Sequence, residues 1–145
     1  MKLSFTEIIE APKELVAELM RNEHNKDWQD GFVGASNIEG NPGEEGCKTR
    51  LQYELDGNQF EIIETIWEIK NSSLFHVGYE FGNINNYTEN YFESLSENQT
   101  KWISNTYFKF PWIMYLMSFR LKRKLRDHSF RNIRNFKRFV ESKAH

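Results

Sequence analysis

Glu64 is the residue of this sequence with the most chemistry to offer. It stands in Phe60–Ile66, a run where apolar and polar side chains mix at strand-like spacing. Turned toward an apolar interior, its carboxyl would lose hydration, its pKa would rise, and it would serve as a proton donor or ligand anchor. Turned outward, it is a solvated strand glutamate or the partner of a neighbour such as Arg50. Other chemical groups are weaker candidates. Glu64 and Glu68 share a face of an extended strand about 13 Å apart, beyond the roughly 5–9.5 Å of a glycosidase carboxylate pair. His24, His76, His128 and His145 are dispersed, with no pair at ligand spacing, so no metal is expected. His128 is expected near the inner side of a C-terminal helix, as a core or hydrogen-bonded histidine. Cys47, the one cysteine, excludes an intramolecular disulfide framework and reads as a small buried apolar group. No Gly-x-Ser-x-Gly elbow occurs. Gly40, Gly43 and Gly46 precede a strand rather than a helix, so the dipole of a phosphate loop is missing.

Which way Glu64 faces depends on the hairpin before it. Cys47, Thr49, Leu51, Tyr53 and Leu55 alternate with Lys48, Arg50, Gln52 and Glu54, the pattern of a half-buried strand. Asp56–Gly57 then signals a tight turn. A two-residue type I′ turn pairs Tyr53 with Phe60 and Leu51 with Ile62, placing Phe60, Ile62, Glu64 and Ile66 on the inner face. A three-residue turn puts Glu61, Ile63, Thr65 and Trp67 there instead. Both registers fit the sequence.

Further elements must hold this hairpin in place. Lys2–Glu10 reads as a strand, and Pro12 opens a helix to about Met20 with Leu15, Val16, Leu19 and Met20 on one side. A second helical turn covers about Glu23 to Asp30 and ends near Gly31. Asn37–Gly46 reads as a strand followed by a glycine-rich loop. Phe75, Val77, Tyr79 and Phe81 alternate with His76, Gly78 and Glu80. Thr88–Leu95 and Thr100–Phe110 flank a turn at Ser96–Gln99, with Trp102, Ser104, Thr106 and Phe108 on one face. No crossover helix separates successive strands, so the sheet is expected to be antiparallel. After Pro111 no Gly or Pro occurs, and Leu121, Leu125, Ser129, Ile133, Phe136 and Val140 recur at helical spacing opposite Arg123, Asp127, Arg131, Arg134 and Arg138. That is an amphipathic helix of about 50 Å if unbroken.

Composition bounds the class. The 145 residues suit one domain, 1–145, and the 12 Phe, 6 Tyr and 4 Trp suffice to fill a core or line a cavity. The net charge of −2 conceals an asymmetry. From Phe119 onward ten basic and two acidic residues give +8, which leaves −10 for the residues before. The apolar run Trp112–Met117 is far short of the roughly 20 residues a bilayer span needs. The first ten residues alternate and carry charge, unlike a signal peptide, so a cytoplasmic location is expected. Arg120, Lys122, Arg123, Lys124 and Arg126, beside the apolar Trp112–Phe119, either meet anionic lipid headgroups or form a solvated helix face. No nucleic-acid reading module is recognisable, and nucleic acid is not expected as a partner.

The order of elements, together with particular residues, resembles the SRPBCC superfamily, which includes START, pollen-allergen-like and polyketide-cyclase-like proteins. The residues that carry the likeness are Ala11–Pro12 with Leu15–Val16, Asp27–Trp28 before a glycine, and Gly43–Gly46 leading into a long strand. Glu61–Thr65, Asn98–Trp102 and the closing Phe136–Glu141 are similar to small bacterial members. The resemblance covers nearly the whole chain; it is specific for fold and weak for function. It implies an α+β helix-grip architecture: a seven-stranded curved antiparallel sheet wrapped around a long C-terminal helix, with two short helices after the first strand. It also implies an apolar cavity between sheet and helix, without a cofactor. From the sheet, Tyr53, Ile62, Glu64, Tyr79, Asn90, Phe92, Trp102, Ser104 and Thr106 would line that cavity; Met114, Tyr115 and Met117 would close it. The expected function is binding or transport of a small hydrophobic or amphipathic ligand that is lipid-, polyketide- or quinone-like. One alternative is a cyclase or dehydratase using Glu64 with Tyr and Asn groups. A second is a membrane-docking module acting through the basic helix, and a weak contact with an anionic membrane surface would also suit the carrier. Fold analogy raises these expectations without naming a ligand.

Overall fold

A computed structural model of the chain describes residues 1–113 and 118–145, so the expectations for Met114, Tyr115 and Met117 lie outside the described residues. Seven strands form one antiparallel sheet: β1 (Lys2–Ile9), β2 (Phe32–Glu39), β3 (Lys48–Leu55), β4 (Asn58–Lys70), β5 (Leu74–Phe81), β6 (Ile84–Ser96) and β7 (Gln99–Lys109). Their spatial order is β1-β7-β6-β5-β4-β3-β2. Between β1 and β2 lie the short helix α1 (Lys13–Leu19) and a 3-10 helix (Asn22–Asp27). The long helix α2 (Ser118–Ala144) follows the sheet. The 3-10 helix stops three residues before the expected Asp30, because Trp28 leaves helical geometry at φ −140° and its ring docks against Phe136 at 5.0 Å.

The hairpin register is the two-residue one. Asp56 and Gly57 both take positive φ, 52° and 80°, as a type I′ turn requires. Tyr53 therefore pairs with Phe60, Leu51 with Ile62 and Thr49 with Glu64. Alternation then carries Glu64 and Ile66 to the concave face, with Thr65 on the convex one. A bulge interrupts the pattern one residue later. Ile66 pairs with Val77 but Glu68 pairs with His76, leaving Trp67 unmatched. The extra residue turns Glu68 to the convex face beside His76. The expectation that Glu64 and Glu68 share a face is thus overturned: the strand between them is not uniformly extended.

The concave face has two unlike halves. Toward the end covered by α1 and the C-terminal half of α2, Ile9, Val16, Phe75, Val77, Phe92, Trp102, Ile133, Phe136 and Val140 are buried in one cluster. Trp102 meets Phe136 edge-on at 5.2 Å and Phe5 at 5.0 Å, geometries aromatic pairs favour. Toward the other end, inward-pointing Phe60, Ile62, Tyr79, Asn86, Thr88, Thr106 and Phe108 are only half-buried, and so are Leu121, Leu125 and Ser129 on α2. Among the described residues, one helical stripe therefore buries one half of the concave face fully, while the inward side chains of the other half keep partial exposure. Phe136→Ala is expected to cost about 3–5 kcal/mol, whereas Leu125→Ala costs about 1 kcal/mol or less. Urea unfolding of both variants checks this; similar losses would contradict the two-part interior.

Candidate functional site

At the boundary between the two halves stands Glu64, 3% exposed. β4 supplies it, and side chains from three other segments enclose it. Asn22, at the start of the 3-10 helix, donates its amide to Glu64 Oε1 at 3.0 Å and to Thr49 Oγ1 at 3.5 Å. The Tyr79 hydroxyl, from β5, donates to the same carboxylate, and Arg21 adds a favourable charge. Burial nevertheless dominates and raises the Glu64 pKa above that of an ordinary carboxyl, with the two hydrogen bonds and Arg21 offsetting only part of the rise. Arg21 is itself held in place, donating to the Gly43 carbonyl at 3.1 Å while its guanidinium lies 5.1 Å from the Phe75 ring centre.

Two phenols complete the group. Tyr53 donates to Gln29 Oε1 at 2.5 Å, stacks on Phe60 at 5.2 Å and meets Phe32 edge-on at 5.6 Å. Burial, then the Glu64 charge, pushes both the Tyr53 and the Tyr79 hydroxyl above their normal range. The site thus holds a carboxyl biased toward its neutral form beside two firmly neutral phenols. Such a set donates hydrogen bonds to a carbonyl or hydroxyl oxygen; a protonated carboxyl next to a reacting oxygen could also act as a general acid.

The sheet gathers the sequence-predicted residues into two groups. Tyr53, Ile62, Glu64 and Tyr79 lie together across β3, β4 and β5, and Thr106 joins the half-buried half, its hydroxyl 3.0 Å from that of Thr88. Asn90, Phe92, Trp102 and Ser104 are buried toward the sealed half. There Asn90 is fully engaged, accepting from Trp102 Nε1 at 2.9 Å and donating to the Phe75 carbonyl at 3.2 Å. Sequence reasoning missed Arg21, Asn22 and Gln29 as parts of the site. They lie in an irregular helical turn without periodicity, and their contacts span up to 42 positions along the chain.

Two histidine placements differ from simple expectation. His128 is exposed on α2 rather than turned toward the interior, one position off the buried stripe, with its Nε2 3.2 Å from the Asn132 amide. Partial desolvation and nearby Arg131 lower its pKa. His76 is buried on the convex face between the rings of Tyr87 and Tyr91, its Nδ1 3.0 Å from the Tyr87 hydroxyl and 3.6 Å from Glu68. Among the described residues, no group of three or more His, Cys, Asp or Glu side chains is arranged to hold a metal ion.

A cleft of about 560 Å³ opens behind Glu64, on the side away from Tyr53. α1 and Arg21–Glu23 form one wall, Thr49, Ile66 and Phe75 the floor, and Asn37, Pro42 and Gly43 the rim. Glu64 lines it as well.

No family model matches the chain, and a search of curated proteins finds no match. Solved structures do match. The Bet v 1-like Ara h 8.0201 superposes with a TM-score of 0.77 at 14% identity, covering 98% of each chain. The Zhui aromatase/cyclase from Streptomyces gives 0.77 at 10% identity, covering all of this chain and 96% of its own. A START superfamily protein from Mycobacterium smegmatis gives 0.68 at 13% identity, covering 99% and 96%. The chain has the helix-grip fold that these structures share, and at these identities the likeness speaks for the fold alone.

The raised Glu64 pKa has a signed consequence. Below the ordinary glutamate value of 4.5 the carboxyl is protonated in folded and unfolded chains alike. Above it the unfolded chain sheds the proton while the folded chain retains it, so stability falls as pH rises toward the folded-state pKa. Glu64→Gln keeps an acceptor for Asn22 and cannot ionise. Its thermal midpoint relative to wild type is expected to climb across that window, measured by circular dichroism from pH 4 upward. A constant or shrinking difference would show that Glu64 is not destabilised by its surroundings.

Proposed function

We propose that this protein binds a small hydrophobic or amphipathic molecule between the concave sheet and the first half of α2, as a cytoplasmic carrier that leaves the ligand chemically unchanged. The observation that carries the reading is the contrast between the sealed and the half-buried parts of one concave face. A polypeptide interior is ordinarily packed throughout. Inward side chains that keep solvent exposure beside a closed core are what an unfilled ligand space requires. Ile62, Phe60 and Phe108 supply apolar walls, Thr88 and Thr106 hydroxyls, and the Tyr53–Glu64–Tyr79 group donors for a polar end, the mixture typical of small-molecule sites. The structural likeness to Ara h 8.0201 and to a START superfamily protein supports such binding at the level of the fold.

The outer end of the same region suits exchange with an anionic membrane surface. Trp112, Ile113 and Phe119 are 75%, 55% and 83% exposed, beside the basic cluster Arg120–Arg126. No helix among the described residues is long and apolar enough to cross a bilayer. Surface contact would therefore be peripheral and weakened by salt.

A second reading, acid catalysis of a cyclase or dehydratase kind, gains from one observation: Glu64 faces inward with Tyr79 on it, as that chemistry demands. Native mass spectrometry separates the two. Delipidated protein is expected to take up one molecule of dodecanol and, from protein as purified, to release a small molecule unaltered by incubation. Thr88→Phe, which fills the space, should abolish uptake without unfolding the chain. Ligand at a hundredfold excess over its dissociation constant would add about 2.7 kcal/mol of stability. Turnover of the released molecule, lost in Glu64→Gln, would favour the enzyme. A chain that stays empty across alcohols, fatty acids and polycyclic aromatics, with an unmoved thermal midpoint, would defeat both.

A further inference from the structure

The half-buried end of the concave face carries its polar groups in two adjacent rows of paired residues. One row runs Glu64, Tyr79, Asn86 and Phe108 across β4 to β7. The next runs Ile66, Val77, Thr88 and Thr106, about 7 Å further along the strands. Neither row contains Lys, Arg or His. Arg21, the cation beside Glu64, is held on the cleft side by the Gly43 carbonyl and the Phe75 ring. On the first half of α2, Arg120, Arg123, Lys124 and Arg126 are exposed, and Lys122 is half-buried.

The hydrogen bonds of these rows leave donors over. Thr88 has one hydroxyl proton, and its Oγ1 lies 3.0 Å from Thr106 Oγ1 and 3.4 Å from Asn86 Oδ1. With Thr88 donating to Asn86, Thr106 donates to Thr88, and both Asn86 amide protons are left without an acceptor among the described residues. The Ser129 hydroxyl, inward and half-buried on α2, has no partner among them either. Water can meet such groups while the space is open. Once an apolar guest displaces that water, only an oxygen of the guest can meet them, and leaving them unmet is costly.

We infer that the guest is uncharged and carries its oxygen as an alcohol or a ketone, that the Asn86 amide reads this oxygen, and that a carboxylate of the same chain length is disfavoured. The inference rests on the carrier reading and names the chemical class of its ligand. A ketone or hydroxyl oxygen is satisfied by the two amide protons, with the Ser129 hydroxyl as a further donor. A carboxylate would lose its hydration beside neutral groups, with no cation in either row to offset the loss. Sites built from matched hydrogen-bonding groups discriminate strongly against a guest that leaves them unpaired.

The test uses three probes of one chain length, decanol, 2-decanone and sodium decanoate. Each is titrated at neutral pH into uniformly labelled full-length protein and followed by backbone amide NMR. Decanol and 2-decanone are expected to bind roughly tenfold or more tightly than decanoate, equivalent to about 1.4 kcal/mol. Their shifts should centre on Asn86, Thr88 and Thr106. Asn86→Leu, close in size, should weaken 2-decanone about fivefold through the lost hydrogen bond. Asn86→Lys, which sets a cation at the same position, should reverse the order and favour decanoate, whereas Lys122→Gln should leave the wild-type order and ratio unchanged. Decanoate binding as tightly as decanol, undiminished 2-decanone binding in Asn86→Leu, an unreversed order in Asn86→Lys, or a loss of decanoate affinity in Lys122→Gln would each overturn the inference while the carrier reading stands. If none of the three probes perturbs the Thr88–Thr106 region, the carrier reading fails and the inference with it.

Discussion

Two residues with positive φ decide which side of β4 faces the helix. Asp56 and Gly57 close the β3–β4 hairpin in two residues, and from that count every later side chain of the strand is assigned to a face. A one-residue longer turn would bring Glu61, Ile63, Thr65 and Trp67 inward and put Glu64 in water. Arg50 pairs with Glu61 at 3.2 Å on the convex side, an ion pair the same count requires. The turn thus fixes the one buried carboxylate of the concave face, and with it the neutral phenols and the Asn22 amide that depend on its position.

The fold then divides its own energetics. Where α2 presents Ile133, Phe136 and Val140, aromatic and aliphatic side chains from β1, α1, β5, β6 and β7 close around them, and the chain obtains most of its hydrophobic stabilisation there. Where α2 presents Leu121, Leu125 and Ser129, burial stays incomplete. A protein anchored at one end of its longest helix can leave the other end less filled without unfolding. Glu64 lies at the seam, where desolvation is strong enough to raise its pKa yet three polar neighbours still reach it. Stability given up at such a position is a common signature of a site rather than of scaffold.

Much of the architecture was legible because its signals are periodic. The period-two runs Cys47–Leu55 and Phe75–Phe81 and the helical stripe ending at Val140 are one-dimensional patterns, and the seven strands and the long helix follow from them. The I′ register was half-legible, since Asp-Gly favours two residues without excluding three. The bulge at Trp67 left no signal: a local count of alternation continues through it, and only the pairing with β5 shows that Glu68 has changed face. The site was legible on the strands and illegible off them. Tyr53 could be placed from alternation and Glu64 only once the turn length was known, whereas Arg21, Asn22 and Gln29 reach them from a turn whose course is set by tertiary packing, above all by Trp28 against Phe136.

Binding between the sheet and the first half of α2 requires unfilled space there, and crystallography under xenon pressure tests for it directly, because xenon enters apolar voids that water leaves empty. Xenon is predicted beside Ile62, Thr88 and Phe108, and absent among Phe92, Trp102 and Phe136. An interior that takes up no xenon near Thr88, with Leu121 and Leu125 packed flush against the sheet, would contradict it.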